Sequence, residues 1–185
     1  MTGLIILIVI AAIIGLWVAA GYNRFIRLRN RCQNGMAQID VQLKRRYDLI
    51  PNLVETVKGY AKHEKETFQN VTDARAGAIA AGSVGEQAKA ENMLTQALRS
   101  VFAVAENYPE LKANTNFLQL QEELGETEDK IRYARQFYND IVMRFNTALQ
   151  VFPNVILARI FNFGVEEYFE LDDTPDQREA PQVKF

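Results

Sequence analysis

An uncharged apolar run at the start of the chain constrains its fold more than any other feature. Residues 3–20 read GLIILIVIAAIIGLWVAA, and four arginines follow closely: Arg24, Arg27, Arg29 and Arg31. Eighteen helical residues span about 27 Å, close to the hydrocarbon core of a bilayer, which is about 30 Å thick. The run therefore predicts a transmembrane helix, and we assign residues 1–21 as an N-terminal membrane anchor.

The charges that flank this run predict its orientation. Residues 22–46 carry seven Lys or Arg side chains and one acid, whereas only Met1 and Thr2 precede the run. Positive charge is retained on the cytoplasmic side, so we expect the N-terminus outside and the rest of the chain in the cytoplasm. A cleaved signal peptide is disfavoured because no positive charge precedes the run and the run is longer than a usual signal core.

Four side chains near the end of the run are candidate contacts with the inner membrane interface. Trp17 and Tyr22 are aromatic residues of the kind enriched at headgroup level. Arg24 and Arg27 follow closely enough to feel anionic membrane lipid, at about 1 kcal/mol each. The alternative is that these arginines only fix the topology.

The remaining composition bounds the class of the protein. The net charge of −2 divides into +6 for residues 22–46 and −8 for residues 47–185. Such an acidic body is a poor candidate for nucleic-acid binding, which needs a clustered basic face. The single cysteine, Cys32, cannot form an internal disulfide, and its position in an apolar stripe indicates a packing role.

Apolar residues recur at spacings of three and four through the rest of the chain, which predicts an all-α fold. A first helix continues the membrane helix as far as the basic cluster Lys44–Arg46. A break is expected between Tyr47 and Asn52, with Pro51 in the first turn of a second helix whose apolar stripe runs from Ile50 to Ala78. A third helix ends before Pro109.

The fourth predicted helix has the most regular pattern and resembles a coiled-coil seam. Its apolar positions are Phe117, Leu120, Leu124, Thr127, Ile131, Ala134, Tyr138, Ile141, Phe145, Ala148 and Phe152. Short connections favour antiparallel neighbours, so we expect an N-terminal transmembrane helix continuous with a long antiparallel up-down-up-down four-helix bundle. The predicted boundaries are 22–164 for the cytoplasmic bundle and 165–185 for a C-terminal extension, largely disordered from Asp172 to Phe185.

The up-down-up-down order would return the chain to the bilayer after the fourth helix. The segment there, residues 151–164, reads VFPNVILARIFNFG and contains one charge, Arg159. One interpretation is a membrane-proximal segment that dips into the inner leaflet, with Phe152, Ile156 and Phe161 as lipid contacts. The alternatives are that it caps the bundle core or packs on another subunit.

Several blocks of sequence resemble the LemA family of bacterial membrane proteins. They are YNRFIRLRNR, QIDVQLKRRYDLIPNLVETVKGYAKHEKETF, NYPELKAN, NFLQLQEEL and RQFYNDIVMRFNT, within residues 22–170. The resemblance implies an anchored cytoplasmic helical bundle at the bacterial inner membrane and implies little about activity. Two departures from the family pattern concern local packing: Gly35-Met36 in place of an Ala-Trp-like pair, and Asn162 in place of a frequent glycine.

The residues offer no recognisable catalytic constellation. The sole histidine, His63, has Tyr60 three residues before it, so the Glu-x-x-His motif of a dinuclear metal site is missing. No phosphate loop, dinucleotide fingerprint or metal-ligand spacing is present in the sequence. We therefore expect a protein that is not an enzyme, with no catalytic residue, no metal site and no cofactor.

Two blocks are candidate interaction sites. Ala11, Gly15 and Ala19 form a small-residue stripe that lets membrane helices approach closely. The sequence Asn107-Tyr108-Pro109-Glu110 should form the turn before the fourth helix, which Asn114 can cap. This turn either fixes the bundle register or docks a cytoplasmic partner.

These features favour a homo-oligomeric, membrane-anchored scaffold. Two other functions remain open from the sequence. The protein could remodel membranes by inserting residues 151–163, or it could act as an adaptor for a membrane protease or transporter through its turn at Tyr108 and Glu110.

Overall fold

The computed structural model describes residues 1–170, and every regular element among them is an α-helix. The helices are α1 (Thr2–Lys58), α2 (Lys65–Ala80), α3 (Val84–Glu106), α4 (Pro109–Lys112), α5 (Thr115–Gln150) and α6 (Asn154–Ile160). The predicted all-α class is confirmed. The disorder predicted for Asp172–Phe185 lies outside the described residues.

Helix α1 runs without interruption through the predicted break. A proline inside a helix cannot donate to the carbonyl four residues earlier, which here belongs to Tyr47. In the structure Arg75 of α2 donates its Nε–H to that carbonyl oxygen, at 2.8 Å. The predicted break between Tyr47 and Asn52 is therefore wrong, because a side chain from another helix satisfies the acceptor that Pro51 leaves free.

The first interruption after the membrane segment comes later, at residues 59–64. Gly59 follows the last residue of α1, and the amides of Tyr60 and Ala61 both donate to the carbonyl of Val57. The apolar stripe predicted as one helix from Ile50 to Ala78 is thus divided between α1 and α2. Ala61, which lies in the turn between the two helices, is buried like the rest of the stripe.

The chain forms two compact units, and α1 and α5 contribute residues to both. Among the described residues, the first unit contains residues 1–41 and 131–167, and the second contains residues 42–130 and 168–170.

The second unit contains the C-terminal part of α1, the helices α2, α3 and α4, and the N-terminal part of α5. Arg45 of α1 lies 4.0 Å from Glu123 of α5, and Tyr60 accepts a hydrogen bond of 2.9 Å from Asn114. Residue numbers therefore rise along α1 as they fall along α5. Helices α2 and α3 are joined by a three-residue turn, so they too reverse direction. The complete up-down-up-down order stays a prediction, and its first helix extends beyond the predicted end at Arg46 to Lys58.

The core of this unit is apolar and continuous. It comprises Ile50, Leu53, Val54, Val57, Ala61, Phe68, Val71, Ala78, Leu94, Leu98, Val101, Ala105, Leu111, Phe117 and Leu124. Helix α3 begins with a capping box, in which Ser83 accepts from the Glu86 amide and Glu86 accepts from the Ser83 amide. Asn114 caps α5 as predicted, because its Oδ1 accepts from the Phe117 amide at 3.0 Å.

The first unit is built on α1 and α5, which also run antiparallel. They lie close together at Gly35, where an added Cβ would lie 3.3 Å from Cδ2 of Tyr138 and 3.5 Å from its Cα. The seam predicted for α5 is buried or half-buried from Phe117 to Ala148. The assignment of Phe152 as the last member of the seam is wrong, because α5 ends at Gln150 and Phe152 is 80% exposed.

Candidate membrane-facing surface

The apolar N-terminal part of α1 is not covered by other parts of the protein. From Leu4 to Leu16 its large apolar side chains are between 51% and 73% exposed. Among the described residues, α1 is the one single helix that is long and apolar enough to cross a membrane. Leaving so much apolar surface in water is unfavourable, so this stretch needs lipid around it.

Helix α6 packs against the residues that follow this stretch. Leu157 is buried over Gly21, at a point where an added Cβ would collide with the leucine side chain. Tyr22 meets Phe161 edge to face with ring centroids 4.9 Å apart, and Phe25 lies 5.1 Å from Phe163. Residues 151–164 thus return to the start of the soluble chain.

A defined helix end aims Phe163 at this cluster. The amide of Phe163 donates to the carbonyl of Ala158, and the amide of Asn162 donates to the carbonyl of Arg159. These two bonds form a Schellman motif, which needs a left-handed residue between helix and loop. Asn162 supplies it with φ of 52°. Asparagine tolerates this conformation better than most residues other than glycine, so the turn forms without a glycine here.

The opposite face of α6 has no protein cover. Ile160 is 67% exposed and Ile156 45%, and Phe152, two residues before α6 begins, is 80% exposed. Helices α5 and α6 meet at a bend of 92°, and together they are long and apolar enough for a broken or re-entrant membrane segment. The segment therefore caps the first unit with Leu157 and Ala158 while Phe152 and Ile156 point away from it. Phe161, the third predicted lipid contact, packs against Tyr22 on one side and is 41% exposed.

The chain after α6 is fastened to α5 by polar contacts. Asn146 exchanges two hydrogen bonds of 2.9 Å with the backbone of Glu166, and the Tyr138 hydroxyl donates to the carbonyl of Glu167 at 2.8 Å. The Glu166 carboxylate lies 3.9 Å from Arg29. The neighbouring Cys32 is buried, as its packing role predicted, and burial followed by the Glu166 charge raises its pKa to about 11.

Arg24 and Arg27 line an open cavity of about 550 Å³ in the first unit. Two further arginines share it, Arg31 from α1 and Arg144 from α5. The rest of the lining consists of Leu28, Met143, Thr147, Ala148 and Val151. Sequence analysis did not single out Arg144, since only the alignment of α5 against α1 brings it to this place.

Helix α1 also places a buried charge in the second unit. Arg46 is 4% exposed and donates to the Glu91 carboxylate at 3.2 Å and to the Thr95 hydroxyl at 2.7 Å. Its guanidinium also lies 3.3 Å from the carboxylate of Glu128. The interpretation of Lys44–Arg46 as a helix end is therefore wrong, because α1 continues and Arg46 points inward.

Glu91 receives donors from three side chains in total. Besides Arg46, the Tyr47 hydroxyl donates to it, and the Gln87 amide donates to it at 3.1 Å. Burial raises the pKa of Glu91, while these donors oppose the rise. The cluster therefore joins α1 to α3 through buried polar contacts.

The other predicted interaction residues occupy exposed positions. Ala11, Gly15 and Ala19 are exposed, and nothing lies within 4 Å of a Cβ added at Gly15. Asn107, Pro109 and Glu110 are exposed at the start of α4, and Tyr108 is half-buried. Their roles in binding stay predictions.

The described part of the chain holds no group of three or more His, Cys, Asp or Glu side chains arranged for a metal ion. His63 is exposed in the turn between α1 and α2. Trp17 is half-buried and Tyr22 is 39% exposed, so neither is enclosed in a catalytic cleft.

The sequence is similar to several known proteins. The Magnetosome protein MamQ 2 of Paramagnetospirillum magneticum is 27% identical over 183 aligned positions, which cover 83% of this chain and 67% of that protein. The Magnetosome protein MamQ of Magnetospirillum gryphiswaldense is 26% identical with the same coverage. Protein LemA of Metamycoplasma hominis is 27% identical over 158 positions, covering 81% of this chain and 70% of that protein. A sequence profile of the LemA family matches residues 35–185, and the chain therefore belongs to the LemA family of membrane-associated proteins.

Proposed function

We propose that this protein is a non-enzymatic, membrane-anchored scaffold that assembles as a homo-oligomer at the cytoplasmic face of a bacterial inner membrane. The observation that supports the proposal most is the continuity of α1. A single helix, Thr2–Lys58, carries the apolar membrane segment directly into the bundle with no flexible linker between them. Such a rigid junction suits a protein that holds a surface at a fixed position against the bilayer.

The proposed orientation has the N-terminus outside and the bundle in the cytoplasm. The arginines that follow the apolar run support it through the positive-inside rule, because they lie within the short stretch where this rule operates. Tyr22 supports it as an interfacial aromatic residue. Membrane lipid is then one partner of the protein, and a second membrane protein is a further possible partner.

Self-assembly is supported by surfaces that remain uncovered in a single copy. Ala11, Gly15 and Ala19 lie on one side of the membrane helix with open space around them. Small residues at four-residue spacing let two helix backbones approach, which increases van der Waals contact between them.

The test is the mass of the full-length protein in mild detergent, measured by light scattering corrected for bound detergent. A discrete assembly supports the scaffold, and a lower mass for Gly15→Ile would locate a contact in the membrane helix. Ile14→Leu is the control, since it changes a neighbouring position without filling the stripe. A shortened protein that begins at Tyr22 then tells whether the bundle associates without its anchor. A monomer in every case would overturn the proposal and favour the adaptor with a different partner at Tyr108 and Glu110.

The bare face of α6 favours one second candidate, membrane remodelling. Two apolar side chains of this face, Ile156 and Ile160, are exposed, as is Phe152 just before the helix. Insertion of this face into one leaflet would expand that leaflet and favour curvature. Full-length protein in liposomes should then deform them in electron micrographs, and the triple change of these residues to serine should leave the liposomes round. Deformation that persists in the triple variant would exclude α6 as its cause.

A further inference from the structure

We propose that the four-arginine cavity of the first unit binds the phosphate-bearing headgroup of an anionic phospholipid. Arg24, Arg27 and Arg31 follow one another at spacings of three and four, so they lie on one face of α1. Arg144 of α5 closes the cavity from the other helix. Two helices thus converge four guanidinium groups on one open volume of about 550 Å³.

The cavity has no acidic residue in its lining. Within residues 1–170, none of the four guanidinium groups forms an ion pair with a carboxylate, whereas the nearby Arg29 lies 3.9 Å from Glu166. A concave site lined by charge of one sign concentrates the potential and attracts counter-ions. Guanidinium groups also match phosphate oxygens in geometry, because each can donate two parallel hydrogen bonds.

The apolar part of the lining points to a lipid rather than to a free phosphate. Leu28, Met143 and Val151 share the cavity with the arginines, and they would be poor partners for an ion that is hydrated on all sides. A phospholipid presents a phosphate joined to glycerol and acyl chains, which matches a charged site with an apolar border. Val151 also leads directly to the bare face of α6.

The position of the cavity along α1 fits the same ligand. Its first residue, Arg24, comes three residues after Gly21, at the end of the apolar run. This step rests on the proposed membrane orientation, which puts these residues at the headgroup layer of the cytoplasmic leaflet. The positive-inside rule depends only on the number of positive charges close to the membrane segment in sequence. The proposed lipid site also requires Arg144, which is far from that segment in sequence.

The experiment is lipid binding by full-length protein in detergent, followed by native mass spectrometry. Phosphatidylglycerol is titrated against phosphatidylcholine, which has a phosphate but no net charge. We expect tighter binding of the first phosphatidylglycerol, and about fivefold weaker binding in Arg31→Gln and in Arg144→Gln, as befits about 1 kcal/mol per arginine. The matched control is Arg29→Gln, which removes the same charge two residues from Arg31 but outside the cavity and should change the affinity less than twofold. Equal losses in all three variants would overturn the proposal in favour of general charge attraction.

A second variant tests the cavity without altering charge. Thr147 is exposed in the lining, so Thr147→Trp should obstruct the site while leaving the fold intact, and it should weaken phosphatidylglycerol binding. Retained affinity in this variant would overturn the proposal. Glycerol phosphate and inorganic phosphate are added as competitors, and displacement of the lipid by either at equal concentration would show a site for free phosphate instead.

The same spectra separate this proposal from the scaffold proposal. They report the number of protein copies and the number of bound lipids independently. A monomer that keeps the lipid preference would refute the scaffold alone, and an oligomer without the preference would refute the lipid site alone.

Discussion

Removal of Arg46 is expected to destabilise the second unit far more than removal of its neighbour Arg45. Arg46→Met leaves the Glu91 carboxylate, 2% exposed, without its cation. Breaking a buried ion pair by deleting one partner costs about 3–5 kcal/mol, since the remaining charge is neither hydrated nor paired. The Tyr47 hydroxyl and the Gln87 amide still donate to Glu91, so we place the cost near the lower end, at about 3 kcal/mol.

Arg45→Met is the matched control for this change. Arg45 is 46% exposed and lies 4.0 Å from Glu123, so solvent screens the pair and its loss should cost less than about 1 kcal/mol. Thermal unfolding of the full-length protein in mild detergent, followed by circular dichroism, gives the comparison. One kcal/mol shifts the midpoint of a domain of 60–100 residues by about 4–8 °C. Arg46→Met should therefore lower the midpoint by roughly 12–24 °C.

A double variant tests the stated cause. When Arg46→Met is combined with Glu91→Met, the buried carboxylate is removed as well, and replacement of a buried pair by apolar groups is often neutral. Glu128 also loses its cation, but its side chain is 36% exposed and water can solvate it. We expect the double variant to be more stable than Arg46→Met alone. Equal midpoints for Arg46→Met and Arg45→Met, or a double variant less stable than either single one, would refute the reasoning.

Three further predictions follow from burial and close contact. Burial raises the pKa of Cys32 to about 11, so its thiol should remain protonated and resist alkylation at pH 8. The neutral thiol contributes stability below the ordinary thiol pKa, and this stability is lost as the pH rises through 11. Measurement of the unfolding midpoint at increasing pH would reveal the loss. A Cβ at Gly125 meets nothing within 4 Å, so Gly125→Ala should stabilise α5 by about 0.5–1 kcal/mol, whereas Gly35→Leu must displace Tyr138 and should cost at least 1–3 kcal/mol, an approximate range for overpacking; a midpoint that moves the other way in either variant would contradict this. Phe152→Trp, in a protein whose Trp17 is changed to Phe, should be quenched by brominated lipid if α6 enters the leaflet, and by aqueous iodide alone if it does not.

Local signals in the sequence were sufficient for most of the fold. The anchor, the stripe of α1 and the capping residue Asn114 depend on neighbours a few positions away, and such patterns can be read without knowledge of the tertiary structure. The seam of α5 was likewise predictable as far as Ala148, because burial of one helical face repeats every three to four residues. The composition of residues 151–164 indicated an exceptional segment, although not which of its faces would be covered.

The features that the sequence did not yield have one physical cause, which is that their partners come from another helix. Pro51 looks like a helix break until Arg75 of α2 is seen to satisfy the carbonyl of Tyr47. Arg46 looks like part of a solvated helix end until Glu91 approaches from α3. In each case local propensity favours one outcome, and a single directed contact from a distant part of the chain reverses it.

Arg144 follows the same logic, with consequences for function. By itself it is one exposed charge on a helix that carries several, and nothing in its local sequence sets it apart. Once α5 runs antiparallel to α1, Arg144 faces the arginines that follow the membrane segment, and a sequence feature that fixes topology becomes part of a concave basic site. The lipid measurement on Arg144→Gln is therefore the most direct test of function that this fold offers, because topology alone gives that residue no role.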